Sequence, residues 1–121
     1  MTKIKNTKRY DLEDRTFNFA QKVRDYVKFL PRTISNIEYG KQLIRSSGSQ
    51  AANYIEANES LSKKDFLLRV KICRKEAKES KLWLRLIEPL QENSKGKEEL
   101  IQEATELTKI FGSIVENSKF K

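Results

Sequence analysis

The 121-residue sequence has no histidine, one cysteine (Cys73), two prolines and four glycines. Without histidine, His-based acid–base catalysis and the common zinc sites lack their residues, and a lone cysteine cannot close an intramolecular disulfide. So little glycine and proline leaves too little turn chemistry for the many hairpins of a sandwich or barrel. No apolar run follows the basic start MTKIKNTKRY, so neither a secretory signal nor a membrane span is expected, and the chain reads as cytosolic. What is present is charge: 25 Lys and Arg against 17 Asp and Glu, a net +8. With 37% apolar and 35% charged residues, the composition suits long helices around a narrow core in one domain.

The apolar spacing predicts four helices, at about 11–30, 36–59, 63–88 and 97–116, behind a basic, flexible tail over 1–10. Leu12, Phe19, Val23, Tyr26 and Leu30 share one face of the first helix, with Asp11 as its cap and Pro31 as its stop. Ser35 followed by Glu38 has the form of a capping box for the second helix, whose apolar side is Ile37, Ile44, Ala51 and Ile55. Ser62 with Asp65 starts the third, with Phe66, Val70, Cys73, Ala77, Ser80, Leu84 and Ile87 as its seam. Leu100, Ala104, Leu107, Phe111 and Ile114 form the stripe of the fourth. Short connections make this an all-α, antiparallel up-down-up-down four-helix bundle.

Opposite the apolar side of the second helix lie Gln42, Arg45, Ser46, Ser49, Asn53 and Glu56, a polar face with almost no Lys or Glu. Small hydroxyls and amides there suit close approach by another helix or subunit. Hairpin geometry puts Arg45 level with Glu76 and Asn53 level with Arg69, which predicts a partly buried network of Arg45, Asn53, Glu56, Arg69, Glu76 and Glu79. Its expected role is to fix register and helix partner. These carboxylates lack the Glu-x-x-His motif of di-iron bundles, so no metal, cofactor or catalytic residue is expected. Cys73, in the seam, is expected to be a packed thiol.

The third helix carries Lys63, Lys64, Lys71, Arg74, Lys75, Lys78, Lys81 and Arg85 within about 120° of arc, away from its seam. At 1.5 Å per residue the stripe is roughly 33 Å long, the scale over which a nucleic-acid backbone presents many phosphates. Lys3, Lys5, Lys8 and Arg9 offer a second basic contact. Few aromatics interleave, so phosphate contact rather than base stacking is indicated. The expected function is non-enzymatic binding of RNA or DNA through backbone phosphates. The alternative is a protein-interaction scaffold, and on that reading the stripe is a solvated helix face.

The run Gln42-Leu43-Ile44-Arg45-Ser46-Ser47-Gly48-Ser49, then Ala52-Asn53-Tyr54-Ile55-Glu56-Ala57, resembles the signature of bacterial 23S rRNA intervening-sequence proteins, also called the S23-like family. Ser62-Lys63-Lys64-Asp65-Phe66 and Lys75-Glu76-Ala77-Lys78-Glu79-Ser80, leading to Trp83-Leu84, continue the match. Many members carry a proline and a glycine in the second helix, where this chain has Gln50 or Ala51 and Ala57 or Asn58. The resemblance implies a four-helix bundle assembled as a ring-like homopentamer, without established enzymatic activity. A similar fold in the basic accessory protein of diversity-generating retroelements supports nucleic-acid binding by analogy.

Overall fold

The structure, a computed structural model, describes residues 8–118, with side chains from 12 onward. Helix α1 spans Lys8–Lys28, α2 Ile34–Asn58, α3 Lys63–Leu86 and α4 Ser94–Ser118, and a 3₁₀ turn at Gln91–Asn93 leads into α4. Among the described residues there is no strand, and no helix is long and apolar enough to cross a membrane. Each helix packs antiparallel on the next. Gly40 faces Val27 and Leu30, Arg45 meets Glu76, and Arg74 lies along Gly112.

Local chemistry sets the boundaries, and two differ from the sequence reading. Helix α1 starts at Lys8, inside the expected tail, so Asp11 is an interior residue and not the cap. Lys3 and Lys5 lie outside the described residues, as do the side chains of Lys8 and Arg9. Helix α2 is capped by Thr33, whose hydroxyl accepts from the Asn36 amide, rather than by Ser35. Thr33 wins because it sits directly after Pro31-Arg32 in extended backbone, as an N-cap requires. Ser62 caps α3 by accepting from the Asp65 amide. At the other end of α3, the Lys97 ammonium donates to the carbonyl of Ile87 at 2.9 Å, a cation on the negative end of the helix.

The core runs through Leu12, Phe19 and Val23 of α1, Val70, Cys73, Ala77 and Leu84 of α3, and Leu100, Ala104, Leu107, Phe111 and Val115 of α4. Val115, not Ile114, completes the α4 stripe, with Ile114 half-buried beside it.

The larger correction concerns α2. Its expected apolar side is not the core side: Ile44 is 48% and Ile55 50% exposed. The buried face is Asn36, Gly40, Leu43, Ser46, Ser47, Gln50, Tyr54 and Ala57, roughly a quarter turn away. Polar groups occupy this seam because α3 supplies partners for them. The hydroxyls of Ser46 and Ser80 meet at 2.8 Å, Gln50 Nε2 donates to Ser80 Oγ at 3.0 Å, and the Cys73 thiol donates to the Gln50 carbonyl at 3.5 Å. Each bond offsets the desolvation of groups that an apolar neighbour would leave stranded.

Asn36 ties the connections together. Its Nδ2 donates to the carbonyls of Pro31 and Glu88, and its Oδ1 accepts from the Glu88 amide. Asn36→Ala removes all three bonds and is expected to destabilise the bundle by about 1–3 kcal/mol. Urea unfolding measures this, and an unchanged midpoint would show that water replaces the clamp.

Candidate nucleic-acid interface

Helix α3 is continuous across the basic stripe because none of its interior positions holds Gly or Pro and its core seam is anchored on α2 and α4. Of the stripe, Lys63, Lys64, Lys71, Lys75, Lys78 and Arg85 are exposed, while Arg74 and Lys81 are half-buried on the α4 side. Arg74 lays its stem over Gly112, close enough that a methyl group there would touch it at ordinary contact distance. Lys75 pairs with Glu76 at 3.7 Å. Among the described residues, the other seven cations have no carboxylate partner in ion-pair range. Lys71, Arg74, Lys75 and Lys78 border a shallow depression of about 380 Å³, shared with Glu79 and Leu82. Seven cations unmatched along one edge create a positive field that attracts polyanions and exchanges their counterions.

The six residues of the expected polar network form two groups with one outlier. Arg45 lies 3.6 Å from Glu76 and 3.3 Å from Glu79, and Gln42 accepts from its Nε at 3.4 Å. Glu76 is only 5% exposed, so this carboxylate is held between Arg45 and Lys75 largely out of water. Separately, Arg69 donates to Asn53 Oδ1 at 2.9 Å, and Asn53 Nδ2 bonds the carbonyl and hydroxyl of Ser49. Glu56 joins neither group: its side chain is exposed, and only its backbone carbonyl is engaged, by Ser60. It lies on the same arc of α2 as Arg45, but the residues of α3 at its height are Phe66 and Leu67, which offer its carboxylate no partner.

Three features of the molecule escaped the sequence reading. The buried Ser46–Gln50–Ser80 chain was legible only as a polar face, because a hydroxyl seam and a solvated face have the same spacing. Arg15 forks onto Glu103 at 2.7 and 2.9 Å and reaches Glu106 at 2.8 Å, joining α1 to α4 above an open groove of about 880 Å³. Hydrogen bonds from Gln102 and Arg15 hold the Glu106 carboxyl below the usual carboxylate range. Third, α3 carries a row of exposed apolar residues, Leu68, Leu82 and Leu86, beside its cations. Cys73 is fully buried, and burial pushes its thiol up to about 12, so it is a packed group rather than a nucleophile. Among the described residues, no three His, Cys, Asp or Glu side chains gather as a metal site.

The model of the 23S rRNA-intervening sequence protein family matches residues 8–113, almost the whole described bundle. No curated protein matches. A crystal structure from Bacteroides thetaiotaomicron VPI-5482, of a protein of unknown function from the S23 ribosomal protein family, is 31% identical with a TM-score of 0.73. The match covers 86% of this chain and 97% of that one. On a fold and a family match that span the same four helices, the chain belongs to the 23S rRNA-intervening sequence protein family.

Proposed function

We propose that this protein is a non-enzymatic helical bundle that works as an assembly of copies and binds RNA or DNA through phosphate contacts from α3. The observation that carries the reading is that seven cations of the stripe, on a helix 24 residues long, have no carboxylate partner among the described residues. Their spacing follows a phosphate backbone, and nothing in their geometry selects a base. The polar seam and the Arg45–Glu76 contact support a role in holding α2 and α3 in register beneath the stripe. The scaffold alternative draws on the exposed leucines of α3, which suit contact with protein.

Salt separates the two. On immobilised RNA, the affinity of the wild-type protein is expected to fall steeply between about 50 and 200 mM salt. The log–log slope should be close to the number of phosphates engaged, about 0.7–0.9 per contact. Retention that does not change with salt, or is absent at low salt, would refute phosphate binding.

A further inference from the structure

Beside the cations of α3, helix α4 turns a flank that carries no carboxylate along its middle. Arg74 lies along Gly112, and the Lys97 ammonium reaches the carbonyls of Arg85 and Ile87, so contacts at both ends fix the register of this antiparallel pair. By that register, α4 from Ile101 to Gly112 runs beside α3 from Arg74 to Arg85. The α4 residues on that flank are Ile101, Thr105, Thr108, Lys109 and Gly112. The acids of the same stretch point elsewhere: Arg15 of α1 holds Glu103 and Glu106. Thr105 and Thr108 donate their hydroxyls to carbonyls of their own helix, which leaves the flank neutral around Lys109.

Lys109 is exposed and has no carboxylate in ion-pair range among the described residues. Glu106, one turn before it, is already taken by Arg15 and Gln102. The outer flank of α3 differs. There Lys75 is paired with Glu76, Glu79 is bound to Arg45, and Leu68, Leu82 and Leu86 are exposed. Carboxylates repel a phosphate backbone, and leucines offer it no bond.

We infer that the polyanion is a double-stranded nucleic acid lying along the valley between α3 and α4, with Lys109 as a phosphate contact from the second helix. The inference rests on the phosphate-binding reading above and deepens it. Arg74, Lys78, Lys81 and Arg85 fall within about 60° of arc on the α4 side of α3 and extend over roughly 16 Å. Fixed to one helix, they form a straight row, and Lys109 stands across the valley from the stretch between Arg74 and Lys78. A duplex suits such a strip for two reasons. It is stiff and carries one negative charge per about 1.7 Å, about twice the density of one strand, so a straight row of cations releases more of its counterions. A single strand is held largely by bases stacked on aromatic rings, and the exposed phenylalanines among the described residues, Phe17 and Phe29, belong to α1.

The test uses the full-length protein, freed of bound nucleic acid, with a short blunt RNA duplex and each of its separated strands as probes. At about 0.1 M salt the duplex is expected to bind roughly tenfold more tightly than either strand. Lys109→Ala should lower the log–log salt slope on the duplex by about 1 and the affinity by roughly tenfold. Lys22→Ala, an equal charge change at an exposed position of α1, should leave both at the wild-type value. Alanine keeps the helix, so the urea midpoint of each variant stays close to that of the wild type. A strand that binds as tightly as the duplex, an unchanged slope for Lys109→Ala, or an equal loss for Lys22→Ala overturns the inference and leaves phosphate binding standing. A wild-type protein that retains neither probe at low salt overturns both.

Discussion

Replacing Lys63, Lys78 and Arg85 together by glutamate is expected to abolish retention on RNA at about 0.15 M salt while leaving the bundle folded. These three are exposed, have no carboxylate partner among the described residues, and line the edge of α3 from its first turn to its last. Losing three phosphate contacts lowers the log–log salt slope by about 2–3, and the six units of charge change add repulsion to that loss. Arg74 is a poorer choice, because its stem packs over Gly112 and its loss would mix folding with binding. Fold is checked by the urea midpoint, which surface reversals should move little: glutamate at position 63 favours the helix start, and at position 85 it gives up only about 0.3–1 kcal/mol at the helix end. Unchanged retention with an unchanged midpoint would assign the stripe to solvation.

Phe111→Ala is expected to destabilise the protein by about 3–5 kcal/mol, a large share of the roughly 5–15 kcal/mol that holds a domain of this class together. Phe111 is wholly buried in α4, with its ring tilted against that of Tyr54 at 6.1 Å. Its α2 neighbour is the buried ring of Tyr54, and the polar residues farther along that seam are held by Ser80, so α2 is not free to shift into the void. A narrow core also has few other large residues to share the strain. The urea midpoint should fall with little change in slope. A loss below about 1 kcal/mol would mean that the bundle closes over the cavity.

What could be read in advance depended on which residues carried the pattern. The seam of α3 was legible because Val70, Cys73, Ala77, Ser80, Leu84 and Ile87 are spaced as a single helix face, and all are buried. The levels of Arg45 with Glu76 and Asn53 with Arg69 followed from the short turn between α2 and α3, since a brief connection fixes the height of every pair above it. The orientation of α2 was not legible. That helix has two usable stripes, one of isoleucines and one of small polar residues, and hydrophobic periodicity alone selects the isoleucines. Glu56 was placed on the right arc, but α3 holds Phe66 and Leu67 at its height, which is why it falls outside the network.

The amino-acid order alone determined four helices, their antiparallel succession and the run of cations on the third, because each is a matter of local spacing, breakers and connection length. The tertiary structure decided which side of α2 faces inward. A hydroxyl or amide can be buried only if a partner stands opposite it, and Ser80, Cys73 and Glu76 reach that position only once α3 has folded back. With those bonds made, the polar stripe becomes the seam and the isoleucines Ile44 and Ile55 are turned to the outside, away from their own core.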